Sequence, residues 1–277
     1  MTIADNNLKS LCNDILNSGN NTLGEKVRPK YADGTPSHTM FVNQVFERYD
    51  LSWGELPIVT LRQVAWKSGI KEILWIYQDQ SNNLDLLRDK YGITWWDEWD
   101  LGDRTIGQRY GATVKRYKLI DKLLENLKNQ PYGRRHIINL YQEADLEETA
   151  GLFPCAMETQ WSVRDGYLDL TLIQRSSDVA VANAINKIQY VALQMMVARH
   201  VGLEPGVFCH YVNNAHIYDR HVDQIREMIA RDPQEGHESV RLVLNPEKTN
   251  FYDFTIDDFT MENYNPVKPN FQFELAI

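Results

Sequence analysis

Residues 152–190 decide the fold and the site of this chain, and their sequence is LFPCAMETQWSVRDGYLDLTLIQRSSDVAVANAINKIQY. Two runs of β-forming residues, 158–163 and 167–173, flank Asp165-Gly166. An Asp-Gly pair is typical of the tight two-residue turn of a β-hairpin, because both turn positions need a positive φ. The stretch therefore predicts a hairpin that brings the chain back beside the segment from which it started.

Chemically reactive side chains lie at the two open ends of this hairpin. Pro154-Cys155 precedes the first strand, and the polar cluster 174–178, QRSSD, follows the second. Folding of the hairpin brings the Arg175 guanidinium within reach of the Cys155 thiol. A cation there favours the thiolate, which is the nucleophilic form of cysteine. The alternative is that Cys155 is an inert, small apolar residue, as most lone cysteines in apolar surroundings are.

Length and composition indicate one globular domain over residues 1–277. The chain has 277 residues, of which 43% are hydrophobic, so it can bury a substantial core. Its sequence contains no linker, no repeat and no apolar run of about 18 residues that would predict a membrane span. The N-terminus lacks the features of a signal peptide, and the three cysteines show no disulfide or metal-binding spacing. We expect a cytoplasmic protein without a metal site.

The net charge is −9, so the average surface repels nucleic acids and anionic membranes. Neither is expected as a partner. Grouped cations are informative in such a chain, because a bound phosphate needs local positive charge. Arg134-Arg135 and Arg175 are the candidates, although an adjacent arginine pair is also common in a solvated surface turn.

Apolar periodicity predicts further helices and strands around the hairpin. The predicted helices cover residues 7–17, 61–77, 118–129 and 186–201. The predicted strands cover residues 136–141, 207–218 and 271–275, and the polar run 26–40 is predicted to be a loop.

Residues whose side chains can take part in catalysis or binding follow one another along the chain in a defined order. In the central stretch they are Pro154-Cys155, Gln174-Arg175-Ser176, Asp178, Asn186 and Tyr190. Elsewhere they are Arg28, KEILW at 71–75, WDEW at 96–99, Arg134-Arg135, HIY at 216–218, residues 251–254 and Ala276-Ile277. This ordered set spans essentially the whole chain. It resembles the folate-dependent thymidylate synthase family, whose members use a cysteine nucleophile.

The resemblance implies an α+β fold of the thymidylate synthase/dCMP hydroxymethylase type. Helices would cover one face of a mixed, bent β-sheet, and the other face would pair two subunits into a homodimer. The implied enzyme is a methyltransferase that converts dUMP to dTMP with 5,10-methylenetetrahydrofolate and releases dihydrofolate. The folate supplies both the carbon and the hydride, so no metal or nicotinamide is needed.

The resemblance also implies the roles of individual residues. Cys155 would add to C6 of the uracil ring. The other catalytic residues would be Glu72, Tyr110, Arg175 and Asn186. The residues that bind dUMP would be Arg28, Arg134, Arg135, Arg175, Ser176, Asp178, Asn186, His216 and Tyr218, with Arg134 and Arg135 reaching into the partner's site. The residues on the folate side would be Trp96, Trp99, Asp178 and Ala276.

Alternatives remain open for several of these residues. The pattern alone slightly favours an exposed helix carboxylate for Glu72, and Trp96 and Trp99 are consistent with ordinary core packing. Asn186 offers uracil a matching donor and acceptor if neighbours fix its amide, for which we expect ordered waters. Alternatively, Asn186 caps a helix that begins at the next residue.

The chain departs from the common pattern of the family at three places: Ala156, the pair Ala182 and Ala184, and Asn213-Asn214. None of them removes an essential chemical group. The rival functions are a dUMP hydroxymethylase, in which water captures the one-carbon intermediate, and a non-catalytic nucleotide- or RNA-binding regulator. Release of dihydrofolate distinguishes the synthase from both.

Overall fold

The computed structural model describes residues 2–233 and 240–277. The strands are β1 (Asn20–Asn21), β2 (Thr39–Asp50), β3 (Ile137–Asn139), β4 (Ala156–Arg164), β5 (Tyr167–Gln174), β6 (Ser177–Asp178), β7 (Glu204–Tyr218), β8 (Arg241–Leu244) and β9 (Phe259–Glu262). The α-helices are α1 (Ile3–Ser18), α2 (Trp66–Ile73), α3 (Leu84–Tyr91), α4 (Gly111–Tyr117), α5 (Leu119–Asn129), α6 (Glu143–Glu148), α7 (Asn183–Val201) and α8 (Val222–Ala230).

The main sheet is mixed. Its strand order is β1-β2-β7-β5-β4-β3, and β6 pairs with β7 beside this path. Strand β7 runs antiparallel to β2 but parallel to β5 and β6. Strands β8 and β9 form a separate antiparallel pair.

The predicted hairpin is confirmed. Arg164 pairs with Tyr167, and the two turn residues have φ values of +45° at Asp165 and +82° at Gly166. The register shifts between Ala156 and Glu158 in β4. The register shifts again in the pairing of β5 with β7. Such irregularities bend strands, which agrees with the expected bent sheet.

Helix α7 packs on one face of this sheet. Along β5 the side chains of Leu168, Leu170, Leu172 and Gln174 are buried in alternation with half-buried ones. Alternation of this kind points every second side chain toward the helix layer. Helix α7 is itself buried along most of its length, so the residues at its first turn lie beside the end of β5. The expected α+β class, with helices on one face of a mixed sheet, is thereby confirmed.

The predicted helix over 61–77 is wrong at its start. The α-helix begins only at Trp66 and passes into a π-helical turn, Leu74–Gln78. Before Trp66, side chains from the C-terminal part of the chain satisfy the backbone donors. Gln63 N donates to Asn270 Oδ1 (3.2 Å) and Val64 N to Tyr264 Oη (2.9 Å).

The predicted strand over 271–275 is also wrong, since this segment is extended but pairs with no strand of the described chain. Its alternating pattern has another cause. Phe271 lies against the Arg231 guanidinium and Phe273 against the His221 ring, while the backbone is held by side chains. His221 Nε2 lies 2.9 Å from Glu274 O.

The other predicted elements occur with shifted limits. The helices predicted at 7–17, 118–129 and 186–201 are α1, α5 and α7, and the strands predicted at 136–141 and 207–218 are β3 and β7. No helix in the described ranges is long and apolar enough to cross a membrane.

Candidate active site

The hairpin brings the two chemical ends of residues 152–190 together, as predicted. Arg175 N donates to Cys155 O (3.0 Å), which joins the start of β4 to the end of β5. Arg175 Nη2 lies 3.4 Å from Cys155 Sγ, and Ser176 Oγ lies 3.9 Å from the same sulfur. The thiol is partly accessible, and the guanidinium of Arg175 lies in contact with its sulfur.

The Arg175 side chain is fixed by the backbone that carries the cysteine. Its Nη2 donates to Phe153 O (2.8 Å) and its Nε to Pro154 O (3.1 Å). These bonds hold the charge beside the sulfur before any ligand arrives. The sulfur of Cys155 thus lies beside a cation and not among apolar side chains alone.

Cys155 opens into a cavity of about 210 Å³ that is mostly apolar in lining. The predicted site residues in its wall are Glu72, Trp96, Trp99, Tyr110 and Asn186. A flat heterocycle fits such a wall, because aromatic faces offer large apolar contact areas.

Tyr110 joins this wall to the cysteine. Its hydroxyl accepts a hydrogen bond from Cys155 N at 3.1 Å, and its ring packs edge-on against Trp96 with centroids 5.2 Å apart. Tyr110 has a φ of +47°, a conformation that non-glycine residues rarely adopt. The structure therefore holds this hydroxyl at the base of the cysteine despite an unfavourable backbone.

Glu72 is buried, so the alternative of an exposed helix carboxylate is wrong. Its Oε2 accepts a hydrogen bond from Trp95 Nε1 at 2.7 Å. Burial raises the pKa of Glu72 to about 7, and the hydrogen bonds it accepts oppose this rise only in part. A carboxyl with such a pKa can hold or release a proton near neutrality.

The Asn186 amide is held by two other amides. Gln174 Nε2 donates to Asn186 Oδ1 (3.1 Å), and Asn186 Nδ2 donates to Gln189 Oε1 (2.8 Å). We expected ordered waters in this role, but direct side-chain contacts already fill it. The capping alternative is wrong, because α7 begins at Asn183 and Asn186 lies within its first turn.

A second cavity, of about 560 Å³, lies beside Arg175. Arg28, Arg175 and the C-terminal Ile277 line it together. The C-terminal residue is docked by backbone pairing, with Lys30 N donating to Ile277 O (2.7 Å) and Ile277 N to Lys30 O (2.9 Å). The loop that carries Arg28 and the end of the chain thus close one wall of the site together.

Arg220 reinforces this closure. Its guanidinium donates to Asp33 Oδ2 (2.7 Å) in the loop and to Glu274 Oε2 (3.0 Å) in the C-terminal segment. It also stacks on the Tyr31 ring at 3.9 Å. One side chain therefore ties both closing segments to the end of β7.

Asp178, His216 and Tyr218 lie at adjoining strand ends. Asp178 pairs with His216 in the β6–β7 register, and the rings of His216 and Tyr218 are 5.2 Å apart. Asp178 Oδ1 accepts from Ala180 N (2.9 Å) and Val181 N (3.3 Å). Burial raises the pKa of Tyr218 to about 12, so its hydroxyl keeps its proton and can donate it in a hydrogen bond.

The fold does not bring the predicted site residues Arg134 and Arg135 to Cys155. Both lie just before the edge strand β3 and are exposed. Neither lines the cavity around Cys155 or the one around Arg28. Both guanidinium groups are free of hydrogen bonds and ion pairs to the described residues.

Four residues that contribute to the site were assigned no role from the sequence: Trp95, Gln174, Gln189 and Arg220. The Gln189 contact had a signal, because residues three apart on a helix face each other. The others depend on contacts between distant segments, which local patterns do not contain. Among residues 2–233 and 240–277, no three His, Cys, Asp or Glu side chains are grouped so as to hold a metal ion.

The chain matches known proteins along its full length. The family model described as thymidylate synthase matches residues 6–277. Thymidylate synthase of Lactococcus lactis subsp. cremoris is 52% identical and that of Streptococcus sanguinis 50% identical, each with 100% of both chains covered.

A solved structure agrees with these sequence matches. Thermostable thymidylate synthase A from Bacillus subtilis superimposes with a TM-score of 0.91 at 39% sequence identity, covering 99% of each chain. These relatives support a synthase rather than the rival hydroxymethylase. With the cysteine, its arginine and the aromatic cavity in place, the chain belongs to the thymidylate synthase family.

Proposed function

We propose that Cys155 is the nucleophile with which this chain carries out the reaction of its family. That reaction is the reductive methylation of dUMP by 5,10-methylenetetrahydrofolate, which yields dTMP and dihydrofolate. The single observation that carries the residue-level proposal is the 3.4 Å contact between Arg175 Nη2 and Cys155 Sγ at the mouth of the aromatic cavity.

Covalent addition solves a specific chemical problem. C5 of uracil is a poor nucleophile until the Cys155 thiolate forms a bond to C6, which pushes the C5=C6 electron pair into an enolate. C5 then attacks the methylene carbon of the folate as one of the two C–N bonds of that carbon opens, and C5 later loses its proton. Cleavage of the second C–N bond releases the folate and leaves a methylene group on C5. Hydride transfer from the folate to this methylene group, with elimination of the sulfur from C6, gives dTMP, dihydrofolate and the free thiolate.

The enolate places negative charge on O4, which must be stabilised. In our proposal Asn186 Nδ2 donates to O4 while Asn186 Oδ1 accepts from N3–H. Glu72, whose pKa is near 7, handles protons at the same edge of the base through water. Tyr110 positions the nucleophile and the nearby water.

The remaining residues hold the substrates. Arg28, Arg175 and Ser176 would bind the phosphate, whose binding energy positions the base over the sulfur. His216 and Tyr218 would take the deoxyribose 3′-hydroxyl. The folate would stack on Trp96 and Trp99, with Asp178 bonded to the pterin. The closing segment at Ala276-Ile277 would exclude water from the intermediate.

We also propose that the enzyme is a cytoplasmic homodimer of one domain per chain, residues 1–277, in which Arg134 and Arg135 complete the partner's phosphate site. Support comes from the two unpartnered guanidinium groups and from the large apolar side chains Phe46 (60% exposed) and Ile137 (49% exposed) on β2 and β3. Free rather than paired cysteines suit a reducing compartment.

Mixing inactive variants tests the shared site. Subunits with both Arg134→Ala and Arg135→Ala, and subunits with Cys155→Ala, should each have little activity alone. After subunit exchange, about half of the dimers are mixed and each mixed dimer has one complete site, so about a quarter of wild-type activity should return.

A matched control uses subunits that carry all three substitutions, mixed with the Arg134→Ala, Arg135→Ala variant. No site in that mixture has both a cysteine and a partner arginine, so activity should stay low. Equal activity in the two mixtures, with exchange verified by mass spectrometry, would contradict a site shared between subunits.

Glu72→Gln should separate activity from stability. Because burial raises the pKa of Glu72 from 4.5 to about 7, its stabilising contribution is complete below pH 4.5 and is lost as the pH rises through 7. Ionisation of Glu72 in the folded state lowers the free energy of unfolding by on the order of 3 kcal/mol relative to its value at low pH. Glutamine can accept the Trp95 bond and does not ionise.

We therefore expect the stability of Glu72→Gln, relative to wild type, to increase by up to that amount from pH 4.5 to pH 8, while turnover falls sharply. Urea unfolding at both pH values measures the difference. A relative stability that is independent of pH would show that Glu72 is not held as a buried carboxyl.

A further inference from the structure

Three buried ionisable side chains form a cluster that the proposed mechanism does not use. They are Glu47 of β2, Lys187 of α7 and His210 of β7, and all three are essentially inaccessible. Lys187 Nζ lies 2.8 Å from Glu47 Oε2, and His210 Nδ1 lies 3.5 Å from the same oxygen. Buried ion pairs gain little stability over apolar side chains of similar volume, so the cluster requires another explanation.

Lys187 and Glu47 neutralise each other, and His210 stays uncharged. Burial would raise the pKa of Glu47, but Lys187 and the contact with His210 outweigh it and lower that pKa to about 2. Burial lowers the pKa of His210, and Glu47 offsets this only in part. A neutral imidazole carries one ring proton, which makes it a donor at one nitrogen and an acceptor at the other.

The shorter of the two His210 contacts indicates which ring nitrogen carries the proton. Its Nε2 lies 2.5 Å from Gln174 Oε1, whereas the contact of its Nδ1 with Glu47 is 3.5 Å long and competes with Lys187 for the same oxygen. An amide oxygen only accepts, so His210 Nε2 is the donor.

A one-way chain of hydrogen bonds starts at this donor. His210 donates to Gln174, Gln174 Nε2 to Asn186 Oδ1, Asn186 Nδ2 to Gln189 Oε1, and Gln189 Nε2 to Gly69 O (3.2 Å). The Gly69 carbonyl can only accept. We call this chain of hydrogen bonds the amide relay, and the direction in which its members donate is fixed at both ends.

The direction of the amide relay fixes the face that Asn186 offers a base. Rotation of the Asn186 amide by 180° would oppose two NH₂ groups at Gln174 and two oxygens at Gln189. Its unused N–H therefore remains on the Gln189 side and its unused lone pair on the Gln174 side. That is a donor beside an acceptor, which uracil matches and cytosine does not.

We propose that His210, held between Glu47 and Gln174, is a positioning residue that, together with the Gly69 carbonyl at the other end, holds the direction of the amide relay and thereby the preference of Asn186 for uracil over cytosine. The proposal rests on the base-contacting role of Asn186 proposed above. His210 does not touch the substrate and acts through Gln174.

The test measures dissociation constants of dUMP and dCMP by calorimetry, with folded state checked by circular dichroism. His210→Phe keeps the stacking on Phe208, whose ring lies nearly parallel at 6.4 Å, but removes the donor. We expect the preference for dUMP to fall about tenfold, the factor that one buried hydrogen bond commonly contributes. His210→Gln, which can still donate to Gln174, should restore it.

Gln194→Leu is the matched control. Gln194 is buried on the same helix and donates to Leu168 O (2.7 Å) and Val207 O (3.1 Å), away from the relay. It should lose stability without any change in base preference. If His210→Phe does not fold, Gln174→Met, which interrupts the relay at the next residue, takes its place with the same expectation.

Asn186→Ala separates failure of this proposal from failure of the proposed function. In that background His210→Phe should have no further effect on preference. If Asn186→Ala lowers the preference and neither His210→Phe nor Gln174→Met does, the positioning role is overturned while base contact by Asn186 stands. If Asn186→Ala leaves the preference unchanged, the base-contacting role itself fails, and the positioning role with it.

Discussion

Cys155→Ala should abolish dihydrofolate formation while dUMP still binds. Without the sulfur no bond to C6 forms, and uracil C5 then lacks the electron density to attack the methylene carbon. Loss of covalent catalysis commonly lowers turnover by several orders of magnitude, so we expect a decrease of at least about 10⁴-fold. Binding persists because Arg28, Arg175 and Ser176 are untouched. Absorbance at the wavelength of dihydrofolate and equilibrium dialysis with dUMP measure the two effects.

Cys209→Ala is the matched control, because Cys209 is another free, partly accessible thiol of the same chain. It lies on β7, does not line the cavity around Cys155, and burial raises its pKa. Its removal should leave turnover near the wild-type rate. Near-normal turnover by Cys155→Ala, or loss of turnover in Cys209→Ala, would refute the assignment of the nucleophile.

The parts of the site that the sequence predicted are those set by local rules. Asp165-Gly166 determines a two-residue turn, and that turn alone places Arg175 beside Cys155. The identity of the cavity residues Glu72 and Tyr110 came from the resemblance, since the pattern around Glu72 slightly favoured an exposed carboxylate.

The parts that the sequence did not predict depend on distant contacts. Gln174 reaches Asn186 only because α7 packs across the end of β5, and Arg220 meets Glu274 over a separation of 54 residues. The alternation of residues 271–275 was misleading for a related reason. Apolar side chains also alternate in an extended segment that packs on helices without pairing with a strand.

Asn186→Asp should change which base the enzyme accepts. Uracil presents an acceptor at O4 and a donor at N3–H, and cytosine reverses both groups. In wild type, a cytosine would leave buried polar groups unpaired at roughly 1–3 kcal/mol each. A carboxyl at this position can accept from the cytosine amino group and, when protonated, donate to the ring nitrogen. We expect kcat/KM for dUMP to fall on the order of 10²-fold or more, and dCMP to become a measurable substrate.

The amide side chains around residue 186 limit how much activity on dCMP the Asn186→Asp variant gains. The new carboxyl would place an oxygen against Gln189 Oε1, which now accepts from Asn186 Nδ2. Gln189 must then turn its NH₂ group toward the carboxyl, and this breaks its bond to Gly69 O at a cost of about 1 kcal/mol. The gain on dCMP should therefore be smaller than the loss on dUMP. Because Asn186 is not the helix cap, lower stability alone does not account for such a change, and an unchanged ratio of kcat/KM for the two nucleotides would refute base recognition by Asn186.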